Sequence, residues 1–374
     1  MIIKNGNVLL GSTQTVEQAD IRIDQGTIVE LGADLTDRIE FDASGMLVIP
    51  GFIDTHIHGC VGVEFASPDE DFTKARKWLA SEGVTGFAAT VRAMTPDRVV
   101  AAERNILRET ERETVGASVF GINLEGPFVS KVRSGVMNPP DIECTSETVK
   151  LFADEGKGML KIMTLAPERE NALSAIKTAT QNGVNISVGH TDATYSETLD
   201  AINAGATRAT HVFNAMRPFS HRETGVLGAV LTDERINCEM ICDLVHLDEA
   251  TIKMVYRLKG AENITLISDT GYMSGLGDGV YNIDGRTRYV KNGVCRNADG
   301  RIAGSCVSML AGAKNLLKMG IPLSDISRMA SYNPAKALGI SQLTGSIEVG
   351  KQADVIVCDN ELNVKAVFVK GNKI

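Results

Sequence analysis

Residues 46–60 read MLVIPGFIDTHIHGC, and the rest of the chain is organised around them. An apolar run, Met46 to Ile49, ends at Pro50-Gly51. A second short run, Phe52-Ile53, leads into Asp54-Thr55-His56-Ile57-His58-Gly59. In a strand, side chains two residues apart share a face. His56 and His58 therefore point the same way, as two imidazoles must to reach one cation. Neutral imidazole suits zinc, iron and similar borderline ions. A His-x-His is also compatible with two structural histidines, so the positions of the other four histidines decide its meaning.

On the N-terminal side, Ile2-Ile3 and Val8-Leu9-Leu10 flank the turn dipeptide Asn5-Gly6, and Ile21-Arg22-Ile23 and Thr27-Ile28-Val29 flank Gln25-Gly26. Both read as hairpins. The C-terminal end matches them, with apolar runs at 354–358 and 364–369 followed by Lys370-Gly371-Asn372-Lys373. The expectation is a small β-sandwich-like domain built from residues 1–50 and 341–374, with a body at 51–340 inserted into it.

In that body, apolar strand-like runs alternate with helix-like segments. Ser67-Pro68 and Thr95-Pro96 have the form of helix starts, an N-cap followed by proline at the first helical position. Buried strands are expected at 49–56, 85–90, 118–125, 159–166, 185–190, 207–214, 237–246 and 263–269. Continuous apolar strands alternating with helices imply a parallel sheet covered on both faces. Eight such units give an α/β fold, a (β/α)8 TIM-like barrel. Residues 271–304 break the pattern with turns at Asp284-Gly285, Asn292-Gly293 and Asp299-Gly300, and read as a β excursion after the eighth strand.

The bulk properties fit this architecture. With 374 residues, the chain suits one large barrel-type domain or two domains. Its 43% hydrophobic and 23% charged residues exclude disorder and low complexity. A formal charge of −9 argues against a general nucleic-acid or anionic-membrane surface, yet leaves room for a small anion held by one arginine and backbone N–H groups. Seven irregularly spaced cysteines do not form a disulfide framework. The N-terminus lacks a signal-peptide profile and no apolar stretch approaches the roughly 18 residues of a membrane helix, so a cytoplasmic location is expected.

In such barrels, catalytic groups come from the C-terminal ends of strands. The expected ends carry His56 and His58, Glu125, His190, His211, His246 and Asp269, five of the six histidines among them; His221 lies in the loop after strand six. Glu125, His190 and His211 offer a carboxylate and two imidazoles, the three-ligand open pattern of a catalytic divalent metal. His56 and His58 are candidates for a second ion, with Glu125 or Asp269 bridging. Such ions lower the pKa of water. Asp269 is then placed to take a proton and return it to a leaving group. His246 is placed to contact substrate and stabilise an oxyanion.

These residues resemble the amidohydrolase superfamily. Several stretches resemble its N-acetylglucosamine-6-phosphate deacetylase family more narrowly: Leu124-Glu125-Gly126-Pro127-Phe128, Gly189-His190-Thr191, Thr210-His211-Val212-Phe213-Asn214-Ala215-Met216, Arg222-Glu223 and Ser268-Asp269. The resemblance implies a Zn2+ or Fe2+ enzyme that deacetylates an N-acetyl-hexosamine 6-phosphate, with metal ligands at Glu125, His190 and His211 and the acid/base at Asp269. By the same mapping Asn214 and Ala215 hold the phosphate, and Arg222 reaches it from a neighbouring subunit of a homodimer. His246 meets the sugar or acetamide, and Ile302, Ala303 and Gly304 line the acetyl end. Two positions depart from some relatives. His56 and His58 stand where certain members have Gln-x-Asn, which opens a two-metal site. Met137 stands where some have histidine, in the Val136-Met137 loop expected to touch substrate. The rival readings are the galactosamine epimer as substrate and a non-catalytic binding protein on the same fold.

Overall fold

Eight parallel strands follow one another around a barrel: β1 (Phe52–Ile57), β2 (Val84–Arg92), β3 (Ser118–Glu125), β4 (Leu160–Leu165), β5 (Asn185–Val188), β6 (Ala206–Ala209), β7 (Asn237–Ile241) and β8 (Ile264–Ile267). The computed structural model describes every residue except Ser12, Thr114, Asp284 and Gly285 and the side chain of Arg286, so the turn expected at Asp284-Gly285 lies outside the described residues. Just past β8, Asp269 N–H donates to the His56 carbonyl at 2.9 Å and His58 N–H donates to the Thr270 carbonyl at 2.8 Å. The seam between the first and last strands thus sets His56, His58 and Asp269 side by side.

The strands are buried almost throughout because helices cover the outside and side chains fill the inside. Phe52, Phe87, Ile122, Met163, Ile186 and Leu266 are fully buried, each contributing about 1.5–3 kcal/mol of transfer free energy. Gly51 is required at the entry to β1, since a Cβ there would lie 2.1 Å from Thr85 Oγ1. At the floor, Ile53, Ala88 and Ile162 pack on Ala335 and Leu338. The barrel is therefore closed at its N-terminal end and open where the strands finish.

The terminal segments form one mixed sheet. Leu47–Pro50 pairs antiparallel with Val355–Cys358 on one side and parallel with Ile2–Leu9 on the other. The sheet curls on itself, as Ile28 N–H donates to the Lys351 carbonyl at 2.8 Å, and it encloses Ile3, Val8, Ile21, Val48, Val355 and Phe368. The expected hairpin at Gln25-Gly26 forms, with φ of 45° and 80°. Asn5-Gly6 does not turn the chain: Ile2–Leu9 is one strand, with a register irregularity between Ile3 and Gly6. Ile49 and Pro50, expected in the first barrel strand, belong to this sheet instead.

Two further expectations change. The helix expected from Ser67-Pro68 begins only at Thr73, where Asp71 Oδ1 accepts from Thr73 N–H at 2.7 Å. The Thr95-Pro96 start holds, opening a helix over Pro96–Glu111. Strands five to seven stop two to five residues before the ends expected for them. The physical reason is backbone geometry: His190, His211, Phe213, Ala215, Leu244 and Asp269 all have positive φ. A left-handed residue ends β pairing and re-aims the side chains that follow.

After β8, the strands Gly279–Ile283, Arg286–Lys291, Val294–Asn297 and Ile302–Ser305 form an antiparallel sheet. Ser305 N–H donates to the Asp269 carbonyl at 2.9 Å, which stands this excursion beside the barrel mouth. Among the described residues, no helix is long and apolar enough to cross a membrane.

Candidate active site and metal centre

Glu125, the last residue of β3, is the hub of the mouth. Its Oε1 lies 2.9 Å from His190 Nε2, 3.0 Å from His211 Nε2 and 3.5 Å from His56 Nε2. Its Oε2 lies 3.3 Å from His58 Nε2. Asp269 Oδ1 faces His56 of β1 at 3.6 Å and His58, just past that strand, at 3.4 Å. Four imidazoles and two carboxylates thus converge, brought from β1, β3 and the turns after β5, β6 and β8.

A divalent cation fits this arrangement on two observations. The Nε2 atoms of His190 and His211 lie 3.1 Å apart and both within 3.0 Å of Glu125 Oε1, so three potential ligand atoms converge on one point. His56 Nε2 and His211 Nδ1 are buried with no hydrogen-bond partner. Donor atoms within 4.8 Å of one another fall into two overlapping groups, His56 with Glu125 and His211, and His56 with His58 and Asp269. The sequence reading placed His56 only in a second-ion pair; the structure brings it within reach of both groups. His190 Nδ1 lies 2.9 Å from the Arg133 carbonyl, which fixes its proton there and leaves the Nε2 lone pair free to ligate a cation.

The charges reinforce one another. Burial alone would raise the Glu125 carboxyl, but His190, His211 and His56 hold it well below the usual carboxylate range. Burial would lower His58, yet hydrogen bonds to Asp269 and Glu125 push it up to about 9. A cation replacing those protons would meet ligands already selected for positive charge.

The cluster opens into a cavity of about 490 Å³. His58, Glu125, His190, His211, His246 and Asp269 line it. So do Val136 and Met137 on one loop, Asn214 and Ala215 on another, and Ile302, Ala303 and Gly304 on the excursion. The Asn214-Ala215 turn is pinned by Thr191 N–H donating to the Ala215 carbonyl at 3.1 Å. His56 lies beneath, fully buried. Arg222 is exposed, in the loop after β6, and does not line the cavity of its own chain.

The amidohydrolase family model matches residues 47–374. The chain belongs to the amidohydrolase family. Among its relatives, the N-acetylglucosamine-6-phosphate deacetylase of Lysinibacillus sphaericus is 34% identical, covering 97% of this chain and 94% of its own. The N-acetylgalactosamine-6-phosphate deacetylase of Escherichia coli O157:H7 is 33% identical, covering 97% and 96%. The crystal structure of N-acetyl-D-glucosamine-6-phosphate deacetylase from Mycobacterium smegmatis superposes with a TM-score of 0.91 at 34% identity, over all of both chains. An Asp-to-Ala mutant of that protein, solved in complex with N-acetyl-D-glucosamine-6-phosphate, gives the same score and identity over all of this chain and 98% of its own.

Several groups in this amidohydrolase site escaped the sequence reading. Asp243 Oδ2 lies 2.8 Å from His246 Nδ1. Burial would lower His246, but Asp243 raises it, which favours an imidazolium whose Nε2–H is free to donate. Arg92, at the end of β2, donates to Glu64, and both line the cavity. Glu239 and Arg208 lie behind His56, one fully buried and the other nearly so. A charged residue in the middle of an apolar strand, as in Cys238-Glu239-Met240, is the one signal that could have found them.

Proposed function

We propose that the chain is a metal-dependent deacetylase that converts N-acetyl-D-glucosamine 6-phosphate and water to D-glucosamine 6-phosphate and acetate. The observation that carries this reading is the full-length likeness to the Mycobacterium smegmatis protein, solved with that phosphosugar, in a chain that retains a complete donor set at the barrel mouth. Zinc or iron(II) suits mixed imidazole and carboxylate ligands. Glu125, His190 and His211 would hold one ion, and His56, His58 and Asp269 would hold a second. Bound there, the ion supplies Lewis acidity and lowers the pKa of water toward neutrality.

The remaining work falls to the protein's own groups. Asp269 takes a proton from the attacking water and returns it to the amine as the C–N bond breaks. His246, held by Asp243, donates from Nε2 to the acetamide oxygen as charge develops on it. Asn214 and Ala215 hold the phosphate, while Val136, Met137, Ile302, Ala303 and Gly304 wall the sugar and acyl ends. Arg222, exposed and away from its own cavity, serves the phosphate of a second copy in a homodimer. Free cysteines, all seven of them, suit a reducing cytoplasm.

The galactosamine epimer is the less favoured substrate, because relatives and solved structures of comparable coverage are mostly glucosamine enzymes. The intact donor set speaks against a non-catalytic binding protein. Acetate release from the two 6-phosphorylated epimers tests the reading. Faster turnover of the glucosamine compound is expected; release from neither would overturn the proposal.

A further inference from the structure

We propose that Glu239 and Arg208 are positioning residues that fix the tautomer of His56, and that this pair makes His56 a ligand for a second divalent cation. The inference rests on the metal-dependent reading above and concerns how this chain builds its second-ion site. Glu239 lies on β7 and Arg208 on β6, both inside the barrel behind the metal cluster. Glu239 Oε2 sits 3.0 Å from His56 Nδ1, and its Oε1 accepts from Arg208 Nη2 at 3.2 Å. Glu239 is 0% exposed and Arg208 4% exposed.

The chemistry follows from what each group can do. An ionised carboxylate only accepts, so His56 carries a proton on Nδ1. Its Nε2 then presents a lone pair toward Glu125 and Asp269, 3.5 Å and 3.6 Å away. The arginine is permanently charged. It occupies one Glu239 oxygen and leaves the other for His56. A buried ion pair is poor material for stability, since apolar residues of similar volume serve a core as well or better. The other polar side chains buried along these strands, such as Thr164, Ser187 and Thr210, are mostly neutral and satisfy one another, so a charged pair aimed at His56 points to a task beyond packing. His190 obtains the same orientation from a main-chain oxygen, that of Arg133. For His56 the orienting acceptor belongs to a side chain that mutation can change.

Glu239→Gln preserves shape but not logic. Arg208 can only donate, so it claims the amide oxygen and turns the NH2 toward His56 Nδ1. The proton moves to Nε2 and the ligand is lost, as happens when an orienting Asp becomes Asn in a catalytic triad. In Glu239→Gln combined with Arg208→Met, the amide is free to turn its oxygen back toward Nδ1.

The test is titration of metal-stripped protein with Zn2+, read by elemental analysis of bound ion per chain, beside thermal unfolding of the metal-free forms. The unmutated chain should bind two ions. Glu239→Gln should bind the first normally and the second about 10–100-fold more weakly, the usual cost of losing a ligand's hydrogen-bond partner. The double variant should regain the second. A purely structural role would lower the unfolding temperature of both variants and leave ion binding alone. Unaltered binding in Glu239→Gln, a double variant that stays weak, or an unmutated chain that takes one ion would each overturn the proposal. Nitrogen-15 spectra of histidine-labelled, zinc-loaded protein need no variant: a His56 proton on Nδ1 supports it, and one on Nε2 overturns it. Two ions bound without acetate release would sink the proposed substrate and leave this inference standing.

Discussion

Buried carboxylates occur in both the terminal sheet and the barrel mouth, and the two regions use them differently. In the terminal sheet, Asp20 accepts from Asn5 N–H at 2.7 Å and Leu35 N–H at 2.9 Å. Asp354 accepts from Lys370 N–H at 2.7 Å and Thr344 Oγ1 at 2.8 Å. Each has one donor for each oxygen and ties distant backbone together. At the barrel mouth, Glu125 and Asp269 face imidazoles, and nitrogens of that cluster are left without partners. A satisfied carboxylate holds a fold together. A carboxylate among unsatisfied ring nitrogens marks a place where something else must bind.

Mutation can break that contrast. The largest effect short of removing the metal is expected at Asp269: Asp269→Asn should keep the ion held by Glu125, His190 and His211 yet lose about 10²–10⁴-fold in kcat, the scale of an acid/base contribution. Near-normal steady-state turnover would remove its assigned role. Next is Arg222→Ala, which should raise KM for the phosphosugar about 10–100-fold with less change in kcat, as loss of a charged contact remote from the chemistry does. Mixing Arg222→Ala with Asp269→Asn subunits should regain activity if the arginine acts across a dimer. No recovery despite demonstrated mixing would place it elsewhere.

A subtler effect is expected at Asp243. It raises His246, so the protonated, donating imidazole is present below that raised pKa and is lost as pH climbs through it. Asp243→Asn should therefore move the alkaline limb of the kcat profile to lower pH, whereas an unmoved limb would assign the limb to another group. The smallest effect on activity is expected in the terminal sheet. Asp354→Asn should cost about 1–3 kcal/mol of stability by denaturant unfolding, the scale of a disrupted buried hydrogen bond, and leave kcat unchanged.

How much of this was legible from residues alone depends on the kind of signal. Period-two spacing put His56 and His58 on one face, and apolar runs ending in chemistry-bearing residues located Glu125, His190, His211 and Asp269. What that pattern cannot show is φ. Apolar runs that finish at His190, His211 and Asp269 predict strand ends there, but the left-handed backbones of these residues place them in the turns beyond. The same blindness turned the Asn5-Gly6 irregularity into a hairpin. Glu239 and Arg208 were missed for another reason: their partners lie 183 and 31 residues from Glu239 in sequence, and only barrel closure brings the three together.

The central claim is that the barrel-mouth cluster holds a divalent metal on which the reaction depends. The direct measurement is acetate release from N-acetyl-D-glucosamine 6-phosphate by protein stripped of metal, with elemental analysis of the same sample, before and after adding back Zn2+ or Fe2+. The account predicts no turnover without metal, recovery on adding it back with at least one ion per chain, and no recovery in Glu125→Gln. Full turnover by protein shown to be free of metal would contradict it.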